Sequence, residues 1–74
     1  DKKTISILNE YLKSENQMLS GLSAIALFGL KDITNIKKDD MEKLMHVINS
    51  YTPFDVKTYN KNVMGLYKFL KNKK

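Results

Sequence analysis

Four lysines in the last third of the chain, Lys57, Lys61, Lys68 and Lys71, are spaced as residues on one side of a helix. At 100° per residue they fall within roughly 40° of a common line, and Asn60 lies at its edge. We call these four lysines the lysine face. A row of ammonium groups about 21 Å long suits the phosphates of a nucleic-acid backbone, and four neutralised phosphates on a single strand predict a slope of about −3 for log affinity against log salt. A solvated face that keeps a small domain in solution has the same pattern.

The composition of the whole chain bears on the same chemistry. The net charge is +5, from 13 lysines and 8 acidic residues, and arginine is absent. Arginine reads guanine through a bidentate pair, whereas lysine is a hydrated point charge that binds phosphates without reading bases. A nucleic-acid partner would therefore be held by its backbone. An AT-rich genome, which favours Lys, Asn, Ile and Tyr over Arg, explains the bias equally well.

Few other groups in the sequence support chemistry. His46 is the single histidine, and Glu42 lies one helical turn before it, a spacing that can place two ligands on a metal. A lone imidazole on a mixed helix is more often structural or solvent-facing. The sequence contains no cysteine, glycine-rich phosphate loop, nucleophile elbow or paired zinc motif. We therefore expect a protein that is not an enzyme and that uses no metal or cofactor.

The length and the hydropathy pattern set further bounds. At 74 residues the chain is one domain at most, and a chain of this size buries only about 60% of its unfolded surface, so it has a thin margin of stability. No apolar run approaches the roughly 20 residues that span a bilayer, and "SGLSAIALFGL" is too short and too far from the start to be a signal peptide. We expect one soluble helical domain over residues 1–74, without a membrane partner.

Apolar residues recur at i, i+3, i+4 and i+7 almost throughout, which predicts an all-α fold of four helices in two consecutive α-hairpins, a small bundle or solenoid fragment. The first hairpin covers about 4–30, and its first helix begins near Thr4. "SENQ" predicts a capping box, in which the Ser14 hydroxyl and the Gln17 side chain bind each other's backbone amides at the start of a second helix. The run "LSAIALFGL" is apolar nearly all round, which indicates the central helix of the bundle.

The second hairpin covers about 40–72. "KDITNIKK" interrupts the helical pattern as a loop, and "DDME" starts the third helix with Asp39 as its cap. The buried stripe predicted for this helix consists of Met41, Leu44, Met45, Ile48 and Tyr51. The fourth helix opens with "TPFD", in which Thr52 caps and Pro53 takes the first helical position, where its missing amide proton costs nothing.

The side of the fourth helix opposite the lysine face is apolar. Tyr59, Val63, Leu66 and Leu70 lie on it. The methionines at 41, 45 and 64 are best explained as adaptable core filling, although Met-rich surfaces also bind partners. Tyr67, near the boundary between the two sides, can stack a base or pack its ring inward with the hydroxyl in water.

The two hairpins are similar to each other. The cap candidates Asp1 and Asp39 are 38 residues apart, and so are Ser14 and Thr52. At an offset of 39 residues, apolar residues at 24, 25, 27, 28 and 30 match apolar residues at 63, 64, 66, 67 and 69. This period is typical of α-hairpin solenoid arrays, which need more than two copies. We therefore expect neighbouring repeats outside this sequence or a partner that covers an exposed face.

The stretch "TPFDVKTYNKNVMGLYKFL" resembles part of the organellar octatricopeptide and heptatricopeptide repeats. Those repeats combine a proline at the entry to their second helix, an asparagine and an apolar core; Pro53, Asn60 or Asn62, and "VMGLYKF" take these places here. The specific motif covers about 20 residues, and the earlier copy, "SENQMLSGLSAIALFGL", lacks the proline and the matching asparagine. The resemblance implies RNA binding in an organelle, as part of a ribosome or an RNA-processing assembly.

Two functions are consistent with these observations. In the first, a non-enzymatic α-hairpin module binds the RNA backbone through Lys57, Asn60, Lys61, Lys68 and Lys71. In the second, a protein-interaction module of the adaptor, inhibitor or immunity type docks an exposed apolar stripe on its partner, and the lysines only solvate or steer. A large exposed apolar patch favours the second. Recognition of duplex DNA by a helix-turn-helix is disfavoured because no short second helix carries a mixed polar recognition face.

Overall fold

The computed structural model describes residues 1–50 and 57–73, and of residues 57–59 it describes the backbone alone. Its helices are α1 (Lys2–Leu12), α2 (Gln17–Gly29), α3 (Asp40–Ser50) and α4 (Lys57–Lys71). The prediction of an all-α, four-helix fold is confirmed, and no strand occurs among the described residues. None of these helices has both the length and the apolar character needed to cross a bilayer.

Side chains outside the helices determine where α1 and α2 begin. The Asp1 carboxylate accepts a hydrogen bond from the amide of Thr4 at 2.8 Å, which confirms Asp1 as a cap and starts α1 at Lys2. The capping box predicted at Ser14 is wrong. The Ser14 hydroxyl accepts instead from the amide of Asn16, and the Asn16 side chain caps α2 by accepting from Leu19 at 3.0 Å. Serine and asparagine side chains both form such local hydrogen bonds with the backbone. Here Ser14 bonds to the amide two residues ahead, and Asn16 bonds to the amide three residues ahead.

Helix α2 is the centre of the bundle, as its apolar composition predicts. It contacts α1, α3 and α4, whereas the backbone of α1 approaches only that of α2 among the described helices. Small residues allow these close approaches: a Cβ atom added at Gly21 would lie 2.5 Å from the carbonyl oxygen of Lys43 and 2.5 Å from a methyl group of Val47. The fully buried core side chains of the four helices include Leu27, Leu44 and Leu66.

The buried stripe of α3 differs from the predicted one. Leu44 and Val47 are fully buried, whereas Met45 and Ile48 are 37% and 38% exposed. Tyr51, also predicted in the stripe, lies outside the described residues. The line that faces the core is 40, 44 and 47, which includes the buried Asp40 and which the apolar pattern alone did not indicate.

The Asp40 carboxylate is stabilised by two partners. It accepts a hydrogen bond from the amide of Lys37 at 2.8 Å and pairs with the Lys43 ammonium at 3.3 Å. Asp39, the predicted cap, precedes the first residue of α3, and its carbonyl oxygen accepts from Glu42 at 3.3 Å. The side chain that organises the start of α3 is therefore that of Asp40.

Helix α4 buries the apolar side that the sequence predicts for it. Val63, Leu66 and Leu70 are buried. The predicted cap Thr52 and Pro53 lie outside the described residues, and the Tyr59 side chain does too. The interpretation of Met64 as core filling is wrong, because this side chain is 56% exposed.

Candidate functional site

The lysine face is solvent-exposed over the part that the structure describes. Lys61, Lys68 and Lys71 are exposed, as is Asn60, while the Lys57 side chain lies outside the described part. Helix α4 contains no acidic residue. Within the described residues, the ion pair of Lys43 with Asp40 is the only one, so these three lysines have no carboxylate within 4.0 Å there.

The structure divides the lysine face into two parts. Lys61 and Lys68 line a groove between α4 and the end of α2. Lys71 lies apart from them, with its Nζ atom 5.9 Å from the centre of the Tyr67 ring. That ring is half-buried and packs against the core, so its position fits the inward alternative better than base stacking.

The groove has a volume of about 800 Å³, and its lining is mainly apolar. Its floor is formed by Phe28 and Gly65, and its exposed apolar walls are Met64 and Ile33. The Phe28 ring is held in place by Phe69, with ring centres 6.1 Å apart and planes inclined at 49°. A preformed concave apolar surface of this size is within the range of binding sites.

Two glycines shape the groove where α2 and α4 face each other. A Cβ atom at Gly65 would lie 2.7 Å from the Phe28 ring, and one at Gly29 would lie 2.7 Å from the Asn62 side-chain nitrogen. The helices therefore approach closely here, beside the open groove.

Three lysines surround the apolar floor. Lys61 and Lys68 belong to α4, and Lys31 follows the end of α2. The carbonyl of Phe28 accepts from Lys31, and the carbonyl of Leu27 accepts from the next residue, which is the hydrogen-bond pattern of a Schellman motif.

That motif places Lys31 in the left-handed region, with φ of 62°, where glycine is the favoured residue. Lys31 is the one non-glycine residue with positive φ in the described part of the chain. A side chain at this position costs conformational energy, and it adds an ammonium group to the groove.

Met64 lies at the middle of the lysine face. On the 100° helical count it is within roughly 20° of the line through the lysines, between Lys61 and Lys68. Its exposure is the largest among the bulky apolar side chains of the described residues. Sequence reasoning placed this residue in the core and did not find the groove, although the helical count puts Met64 among the lysines.

A second, smaller cavity of about 430 Å³ has a different character. It lies beside the end of α1 and is lined by Leu12, Asn35, Asp40 and Lys43, among others. Here the lysine is engaged: the Lys43 ammonium pairs with Asp40 and donates to the Leu12 carbonyl at 3.2 Å. The buried Ser20 hydroxyl donates to the same carbonyl at 2.5 Å. These contacts tie α1, α2 and α3 together.

The residues considered for a metal do not form a cluster. His46 and Glu42 are both exposed on α3. In the part of the chain that the structure describes, no group of three His, Cys, Asp or Glu side chains is arranged to hold a metal ion.

Comparison with protein-family models, curated proteins and solved structures finds no match to this chain. The resemblance to octatricopeptide and heptatricopeptide repeats therefore stays a prediction.

Proposed function

We propose that this chain is a non-enzymatic interaction module that binds a protein partner through the groove between α2 and α4. The observation that carries this proposal is the position of the apolar groove, which lies among exposed lysines that have no carboxylate partner in the described residues. The groove supplies apolar surface for affinity. The lysines supply electrostatic steering and orientation.

The apolar lining favours a protein over a nucleic acid. A phosphate backbone gains its binding energy from the cations and the counterions they release, and it needs no exposed Met64 or Ile33 beside them. Burying such side chains is favourable at about 25 cal/mol per Å² of apolar surface. A protein segment with apolar side chains uses both features of this surface.

Binding of the RNA backbone is the second candidate function. Its support is the exposure of Lys61, Lys68 and Lys71 together with Asn60 on a helix that has no acidic residue. In this function the cations hold phosphates along α4, and Lys57, whose side chain lies outside the described part, extends the row on the helical count of the sequence. The repeat resemblance is a further reason to test it.

Site-specific crosslinking separates the two functions. A photoreactive residue replaces Met64 in the full chain, and the matched control carries it at Met45, an exposed methionine on α3. Both are irradiated in an extract of the source cells. We expect a discrete adduct from position 64 that resists nuclease, is destroyed by protease and is identified by mass spectrometry as one polypeptide segment.

Two results would overturn the proposal. Nuclease-sensitive adducts at position 64 would assign the face to RNA. Equal adduct patterns from positions 64 and 45 would show that the groove has no selectivity for any partner.

A further inference from the structure

We infer that the partner segment is an acidic amphipathic α-helix, which lies along α4 with its apolar side in the groove and its carboxylates at the three lysines. This inference rests on the proposed function and names the chemistry of its partner. It depends on the shape of the groove, on the placement of its charges and on the poor fit of other occupants.

The shape of the groove fits a helix of at least two turns. Lys61 and Lys68 stand at its two ends on α4, seven residues apart in the sequence. Seven residues of helix rise about 10.5 Å, so carboxylates at i and i+7 of a helix running alongside α4 have the same separation as these two lysines. The apolar residues of such a helix, at i, i+3 and i+7 of a neighbouring stripe, then lie over Met64 and Gly65.

The charges of the groove favour an anionic occupant on both flanks. Lys61 and Lys68 define the α4 side, and Lys31 stands on the α2 side. Asp32 follows Lys31 but does not line the groove. The Schellman motif fixes the backbone from which the Lys31 side chain reaches the groove, although glycine would suit the position better.

Other occupants use fewer of these features. Single-stranded nucleic acid binds through bases stacked on exposed aromatic faces. Among the described residues that line the groove, Phe28 is the one aromatic, and it is half-buried and lies against Gly65. A second copy of this chain carries the same charge of +5, and its α4 has no acidic residue to offer. An acidic helix satisfies the lysines and covers the apolar floor together.

Peptide binding to the full chain tests the inference. The probe is a fluorescent synthetic helix of about 18 residues, with a leucine stripe flanked on both sides by glutamates. One control peptide replaces every glutamate by glutamine, and another keeps the composition but scrambles the stripe. We expect the acidic peptide to bind at least about tenfold more tightly than either control, because each control lacks one of the two matching features.

Variants of the protein locate the binding site. Lys61→Glu with Lys68→Glu should weaken binding of the acidic peptide by about tenfold or more, whereas Lys2→Glu with Lys3→Glu, which makes the same change of net charge on exposed positions of α1, should change it by less than about twofold. Met64→Ala should weaken binding by about fivefold and Met45→Ala should leave it unchanged. Circular dichroism of each variant shows that the helices are retained.

The outcomes separate this inference from the proposed function. If the crosslink at position 64 captures a protein segment while the acidic peptide binds no better than the glutamine peptide, the inference is wrong and the proposed function stands. Equal weakening by both double charge reversals would mean non-specific attraction and would also overturn the inference. Concentration-dependent self-association that Met64→Ala abolishes would make a second copy the occupant.

Discussion

The two sides of α2 both combine glycines with lysines, but the lysines are paired on one side and open on the other. On the α3 side, Gly21 lets the backbone of α3 approach within contact distance, and Lys43 is bound by Asp40 and by the Leu12 carbonyl. On the α4 side, glycines also allow close approach, but a groove beside them stays open, and its lysines have no carboxylate partner in the described residues. The first side is complete within the chain. The second has apolar and cationic groups that a partner can satisfy.

Substitution of glycine gives the largest expected contrast between the two sides. Gly21→Ala places a methyl group against the backbone of α3, which cannot move without displacing Val47, so we expect a loss of about 2 kcal/mol in the free energy of unfolding. Gly29→Ala meets only the end of the Asn62 side chain, which can rotate away, and alanine favours the helix by about 1 kcal/mol. Gly29→Ala should therefore be neutral or stabilising in urea denaturation. Equal losses for the two variants would contradict the difference in packing.

Removing the buried Asp40 carboxylate tests the α3 side of α2, where the polar groups are paired within the chain. Asp40→Ala leaves the Lys37 amide and the Lys43 ammonium without their partner, and we expect the free energy of unfolding to fall by about 2 kcal/mol. Glu42→Ala is the matched control, because Glu42 is an exposed acidic residue in the same turn of α3. A similar small effect of both substitutions, measured by chemical denaturation, would show that Asp40 does not organise α3.

At the groove, substitution of Lys31 by glycine should have a smaller effect of opposite sign, an increase in the free energy of unfolding. Lys31→Gly removes a side chain from a left-handed backbone position, so the free energy of unfolding should rise by about 1 kcal/mol. Lys31→Ala removes the same ammonium group but keeps the β-carbon, and it should bring no such gain. Both variants should weaken binding of the acidic peptide. Stabilisation by alanine as large as that by glycine would point to relief of charge repulsion instead of backbone strain.

The smallest effect on stability is expected at the lysines of the groove. Lys61→Gln with Lys68→Gln should change the free energy of unfolding by less than about 0.5 kcal/mol, because neither ammonium group has a carboxylate partner in the described residues. Lys43→Gln should be clearly destabilising in the same assay, since it breaks the contacts to Asp40 and Leu12. A large loss from the groove lysines would mean that they serve the fold.

The sequence predicts the parts of this fold that depend on periodicity and local capping. The apolar spacing correctly identifies four helices and the buried positions Val63, Leu66 and Leu70, and Asp1 caps α1 as its residue type suggests. The rotation of α3 was not predictable in this way. Asp40 is buried, and its partners, the Lys37 amide and the Lys43 ammonium, lie three residues away on either side in the sequence. Apolar periodicity gives no signal for a buried carboxylate, although its contacts are local.

The groove depends on the tertiary structure as well. In the predicted repeat, Ile25 and Met64 occupy matching places, yet Ile25 is buried and Met64 is exposed. The reason is that α2 has neighbours on three sides, whereas α4 contacts α2 and α3 alone among the described helices. Helical spacing correctly placed Lys61 and Lys68 on one side of α4. The contribution of Lys31 comes from the end of another helix and has no local signal.

Mapping the bound acidic peptide by backbone amide shifts in nuclear magnetic resonance tests the central claim most directly. The proposal predicts that the shifted amides lie at 28–33 and 61–68, on the two walls of the groove, and that those of 40–47 on α3 stay unchanged. Shifts centred on α1 or α3, or shifts spread evenly over every lysine-rich segment, would contradict it.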